Sequence, residues 1–184
     1  MSLIITNKET LKNVAIILIS ATQGEKTIET NGDFTKIYVG NKLVGANIFN
    51  PENYFEVKEG VHTLNDEQIS VLKNNNIEFD FNSHFSIGEV ISREVHPKSE
   101  KLFLLKVQTE VELQIVTNSL NSLVGSKVVV ARLGAILPSG LEIVLSKVMG
   151  VESQGMLCGG ETLGLEKTEG VLIVNGNNGD NFIL

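Results

Sequence analysis

A chain of 184 residues, 42% of them hydrophobic, suits one large domain or two small ones with an ordinary apolar core. The formal net charge of −7 argues against a strongly basic polyanion binder, and no apolar run approaches the ~20 residues of a membrane helix. The single Cys158 excludes an internal disulfide framework and an all-cysteine metal cluster, and His62, His84 and His96 lack ligand spacing, so no cofactor and a reduced, cytoplasmic setting are expected.

In chain order, Val14–Ser20 reads as a continuous buried strand. The run to Ala21 behind Lys8 and Lys12 has the length of a short signal-peptide core, but Glu9 and the β-branched content favour the strand. Thr27–Thr30 alternates and meets the turn Asn31-Gly32-Asp33. Phe34–Val39 and Lys42–Phe49 flank Gly40-Asn41, a two-residue hairpin loop, and Pro51 closes the second strand. A helix is predicted from Asp66 to about Asn74: Asn65 is the N-cap, Gln68 completes a capping box, and Leu64 can staple onto Ile69. Nothing here carries chemistry. Glu56, Glu59, Asp66 and Glu67 read as a solvated acidic edge and a helix start, and the aromatics Tyr38, Tyr54 and Phe55 as core and hairpin positions. Residues 79–83 are the expected junction between two halves.

From Phe85 onward the rhythm is that of short strands. Ile87–Val95, Leu102–Val107, Val111–Val116, Lys127–Leu133 and Leu141–Val144 are predicted, with one helical turn in the connector Leu120–Gly125 and a further strand at Val171–Val174. Five short strands with a small connector fit a closed Greek-key barrel of the oligonucleotide-binding type, a fold that hosts sugars, proteins and nucleic acids alike. Charge divides unevenly along the chain. Residues 1–83 carry seven lysines against eleven acids, and residues 84–184 eight basic residues against eleven acids. Within residues 96–150 six basic residues face four acids, from Lys98, Lys101, Lys106, Lys127, Arg132 and Lys147, so any polyanion should meet a local patch of the second half.

The segments Ile87-Gly88-Glu89-Val90-Ile91, His96-Pro97, Lys101-Leu102, Gln114-Ile115-Val116, Gly125–Ala131, Gly134–Gly140 and Gly150–Cys158 stand in an order that resembles one family throughout. It is the tRNA-binding domain found in bacterial phenylalanyl-tRNA synthetase β chains, in methionyl-tRNA synthetases and in free-standing proteins. Gly45–Asn50 resembles the N-terminal extension of the free-standing YtpR-type members. The resemblance implies a non-catalytic protein of translation that binds tRNA or other structured RNA. The implied architecture is mainly β with some α: a small α+β domain over residues 1–82, then a five-stranded Greek-key barrel domain with a C-terminal extension over residues 83–184. It also implies an RNA surface at Lys98, Lys101, Asn118, Arg132, Lys147, Ser153 and Met156. Some free-standing relatives dimerise, so a homodimer is an expected arrangement; no particular aminoacylation or translation partner is named, and no membrane is involved.

Two departures stand out. The family has Arg or Lys before the turn glycine where this chain has Met149, and Cys-Gly-Ala or Ser-Gly-Ala after Gln-Ile-Val where this chain has Thr117-Asn118-Ser119. They motivate a second reading, a protein-interaction module whose barrel has lost most RNA affinity. Structural roles compete at single positions: solvated charge for Lys98, Lys101 and Arg132, a turn cap for Ser153, core filling for Met156, and a buried small side chain for Cys158. The second half holds only Phe85, Phe103 and Phe182 as aromatics, which disfavours a general single-strand binder and leaves phosphates, sugars and shape as the basis of recognition. No phosphate loop and no carboxylate pair with a nucleophile is present to suggest an enzyme.

Overall fold

The computed structural model describes residues 3–81 and 84–184. Two units share the chain, one of residues 1–82 with Leu184 and the other of residues 83–183. The expected junction over residues 79–83 ends on Asn82 and Ser83, which lie outside the described residues.

In the first unit, β1 (Leu3–Thr6), β2 (Val14–Leu18), β3 (Lys26–Asn31), β4 (Phe34–Val39), β5 (Lys42–Phe49) and β6 (Gly60–Thr63) form one sheet in the order β3-β4-β5-β2-β1-β6. Every pairing is antiparallel, and the two tight loops fall at Gly32-Asp33 and Gly40-Asn41, where turn chemistry places them. Alternation fixes the buried face. Ile4, Ala15, Ile17, Phe34, Ala46 and Ile48 meet in one core with Phe55, Leu72 and Ile77. Leu72 arrives on the helix α1 (Asp66–Asn74), whose start is set by the predicted box: the Asn65 side chain accepts from the Gln68 amide at 2.9 Å, and the Gln68 side chain accepts from the Asn65 amide at 3.0 Å. Tyr54 stands edge-on to Phe34 with its hydroxyl donating to Asp33, so it belongs to the packing of this core. Two corrections apply. The strand at residue 14 ends at Leu18, and only Ala15 and Ile17 along it are buried, because it pairs within an open sheet with one covered face. The four-residue strands β1 and β6 were not expected; they are too short to show a period by themselves.

The second unit is a barrel. Strands β7 (Phe85–His96), β8 (Ser99–Gln108), β9 (Glu112–Thr117), β10 (Lys127–Arg132) and β13 (Gly155–Leu157) form a sheet in the order β13-β10-β7-β8-β9, beside a hairpin of β11 (Ser146–Val148) and β12 (Val151–Ser153). The twelve-residue β7 serves both sides of the sheet, pairing with β10 and with β8. Register shifts after Val90 and after Val95 bend it enough to do so. Val90, Leu105, Val107, Ile115, Val128, Val130, Leu157 and Val171 fill the interior.

The barrel is closed by one backbone hydrogen bond and several from side chains. Gln154 donates its amide to the Gln114 carbonyl at 2.8 Å and its side-chain oxygen accepts from the Gln114 amide at 2.9 Å. The Gln114 side chain then donates to the Glu152 carbonyl at 2.8 Å. Gly155 sits where an added Cβ would lie 2.9 Å from the Ala131 carbonyl oxygen, so the last strand needs a residue without a side chain to approach β10.

The five-stranded barrel is therefore present, with its fifth strand reassigned. Leu141–Val144 forms no strand; Glu142 makes one bridge to Ile136, and Val144 is exposed. The strand that completes the sheet is Gly155–Leu157, which reads in sequence as part of a turn. Val171–Val174 contributes one bridge, Ile173 to Val128, flanked by hydrogen bonds of Leu172 and Val174 to Cys158 and Lys127. The connector Leu120–Gly125 holds turns and no helix.

Candidate nucleic-acid interface

The turn between β7 and β8 and the tip of the β11–β12 hairpin meet through His96. Its ring is buried, and its Nδ1 accepts from the Lys98 amide at 3.1 Å. A backbone amide can only donate, so the neutral ring carries its proton on Nε2, which donates to the Val148 carbonyl at 3.2 Å. His96 thus ends β7 as expected and also ties two distant loops together.

At that tip, Met149 and Gly150 both take positive φ, 48° and 92°, the mirror-image turn that fits a two-residue hairpin. Glycine does so freely; methionine does so under strain. The Lys98 ammonium lies 3.3 Å from where a Cβ on Gly150 would stand, so Lys98 reaches the tip of the hairpin that carries Lys147. Lys147 stands opposite Glu152 in register, but the Glu152 carboxylate is met by the Gln154 amide at 3.4 Å. Lys101 is exposed near the start of β8. Among the described residues, no carboxylate lies within ion-pair distance of Lys98, Lys101 or Lys147.

The other expected positions are placed differently. Arg132 donates from Nη1 to both oxygens of the Glu110 carboxylate, at 3.0 and 3.2 Å, so its charge already has a partner. Ser153 is buried; its hydroxyl accepts from the Val116 amide at 3.1 Å and donates to the Gly155 carbonyl at 3.0 Å. That makes it part of the closure of the barrel. Met156 is half-buried on β13 opposite Ala131. Asn118 is exposed just after β9, on the wall of an open groove of about 820 Å³ shared with Thr117, Asn121, Thr168 and Glu169.

One arrangement escaped the sequence reading. The Arg93 guanidinium carbon lies 3.5 Å from the centre of the Phe103 ring, and Arg93 Nε is buried without a hydrogen-bond partner. Phe103 opposes Val95 on β7 and Thr117 on β9, so all three point to one face, which Lys101 and Arg93 share by strand alternation. The signal available in sequence was only an arginine and a phenylalanine on neighbouring strands at matching parity.

Cys158 is fully buried, and burial pushes its thiol up to about 12, opposed in part by a backbone hydrogen bond from Ala131. It stays protonated near neutrality and has no nucleophile chemistry to offer there. Among the described residues no group of three or more His, Cys, Asp or Glu is placed to hold a metal ion, and no helix is long and apolar enough to cross a membrane.

The site thus consists of a five-stranded barrel of the oligonucleotide-binding type whose two adjoining loops carry lysines without a carboxylate partner among the described residues. The family model described as "Putative tRNA binding domain" matches residues 85–179, about half of the chain, and a second described as "Domain of unknown function" matches residues 21–84. The chain belongs to the tRNA-binding-domain family. It is 34% identical to "Putative tRNA-binding protein YtpR" of Bacillus subtilis (strain 168), with 93% of each chain covered. It is also 44% identical over 91 residues to the phenylalanine–tRNA ligase beta subunit of Fusobacterium nucleatum, covering 48% of this chain and 11% of that subunit. The chain thus spans about a tenth of the length of the ligase subunits it matches. Among solved structures, the MetRS related protein from Pyrococcus horikoshii is 26% identical, over 52% of this chain and 84% of that one, with a TM-score of 0.38.

Proposed function

We propose that this protein binds folded tRNA through phosphate and shape contacts made by the barrel unit, without catalysing a reaction, in the cytoplasm. The observation that carries the reading is the convergence of Lys98 and Lys147 on one hairpin, with Lys101 on the adjoining strand, all three without a carboxylate partner among the described residues. Flexible ammonium groups without counter-charges are suited to phosphates, whose spacing they can follow by rotating. Asn118 adds an uncharged hydrogen-bonding group from the groove after β9, whereas Ser153 and Met156 support the surface through the barrel wall. Arg132 contributes only if RNA displaces Glu110.

Residues 1–82 and 83–184 act as two domains in this reading, with RNA contacts confined to the second. A second copy of the chain would present two barrels to one RNA and raise avidity without new contacts. The reading in which the barrel serves only to bind a protein has less support, because the basic loops survive the Met149 and Thr117-Asn118-Ser119 departures.

The test is a tRNA titration across salt concentrations. Affinity should fall steeply with salt, and Lys98→Ala, Lys101→Ala and Lys147→Ala should each flatten the log–log slope by roughly 0.7–0.9. Binding no tighter than to an unrelated acidic polymer, with no loss in the variants, would reject the proposal.

A further inference from the structure

We propose that Arg93, backed by Phe103, holds an unpaired nucleobase of the bound RNA by stacking, an inference that rests on the RNA-binding reading. The guanidinium carbon is 3.5 Å from the ring centre, a separation that only a near-parallel stack allows. One face of the guanidinium is therefore spent on Phe103; the side chain is half-buried, and the base is placed on the opposite face. Among the described residues no carboxylate or hydrogen-bond acceptor meets Arg93, although its Nε is buried. With that edge closed, the side-on grip through Nε is unavailable to a phosphate, leaving the terminal nitrogens and the plane. The plane remains, and bases stack on arginine planes as they do on aromatic rings.

The surroundings suit a base with its backbone attached. Lys101 shares the face for a phosphate, Thr117 stands directly across from Phe103, and the exposed Asn118 amide follows it, able to reach a base edge. The stack also supplies the planar platform that the shortage of exposed aromatics denies the barrel elsewhere.

The experiment compares wild type, Arg93→Lys and Phe103→Leu for binding to unfractionated tRNA and to a blunt, fully paired RNA duplex, after thermal melts establish that each variant is folded. Arg93→Lys keeps the charge and loses the plane, so tRNA affinity should drop about tenfold, within the range for one stacked base, at unchanged salt slope. Duplex binding should not change. Phe103→Leu removes the backing ring, should weaken tRNA binding in the same direction, and carries the test if Arg93→Lys fails to fold. Wild-type tRNA affinity in Arg93→Lys, or an equal loss on the duplex, would overturn the stacking role while Lys147→Ala still flattened the salt slope. Absence of salt-dependent binding by wild type would overturn the RNA reading and this inference with it.

Discussion

Ser153→Ala separates a structural serine from an RNA-contacting one. The wild-type hydroxyl makes two hydrogen bonds, one from the Val116 amide at 3.1 Å and one to the Gly155 carbonyl at 3.0 Å, and the residue is 3% exposed. Alanine leaves the Val116 donor without its partner at the place where β9 meets the closing segment. Two buried interactions at about 1 kcal/mol each give a destabilisation of roughly 2 kcal/mol. For a unit of about a hundred residues that corresponds to a melting temperature lower by roughly 8–16 °C. The assay is a thermal melt followed by circular dichroism, paired with tRNA titration well below the transition. The expected result is a lowered melt with the salt slope and low-temperature affinity retained. Loss of tRNA affinity at unchanged melting temperature would refute the argument, since it would mean that the hydroxyl faces RNA and not the barrel wall.

Met149→Lys places a cation at the hairpin tip without altering the backbone requirement, so the salt slope for tRNA should steepen by roughly 0.7–0.9 with little change in melting temperature; an unchanged slope would remove the tip from the RNA surface. Asn65→Ala should cost the first unit about 1 kcal/mol, read as a shifted urea midpoint, because the Gln68 amide loses the side-chain oxygen that caps it while the reciprocal bond from the Asn65 backbone amide remains. Cys158 gives a pH prediction. Its thiol titrates near 9.0 when unfolded and about 12 when folded, so between those values the folded chain holds a proton the unfolded chain has lost. Stability contributed by the thiol is complete below pH 9 and should fall by about 1.4 kcal/mol per pH unit above it, a slope that Cys158→Ala should remove from urea midpoints measured across that window.

Local chemistry was legible in the sequence and closure was not. The capping box at Asn65 and Gln68, and the hairpin loop at Gly40-Asn41, involve neighbours in the chain, so their bonds follow from residue type alone. The fifth barrel strand depends on Gly155 lying against Ala131 and on Gln154 reaching Gln114, contacts whose partners are remote in sequence. Leu141–Val144 has the better strand pattern and lacks a neighbouring strand to extend it. The binding surface divided in the same way. Lys98 and Lys147 were visible as cations, but only the buried His96 ring, spanning to Val148, brings their loops together. Arg132 reads in sequence as one more cation, and only the fold sets Glu110, from the turn after β8, beside it. Family resemblance marks Ser153 for the RNA surface, and its two hydrogen bonds inside the barrel give that mark a mechanical meaning.

Closure of the barrel through Gln114, Ser153 and Gln154 bears on how the chain is made. Strand β9 emerges from the ribosome some forty residues before the segment that covers it, as the Gln114–Gln154 separation requires. During that interval its outer amides and carbonyls form an uncapped strand edge, the kind of surface through which nascent chains associate with one another. A chain stalled or cleaved ahead of Glu152 keeps that edge open permanently. Truncation from the C-terminal side should therefore produce aggregation and not a smaller soluble barrel.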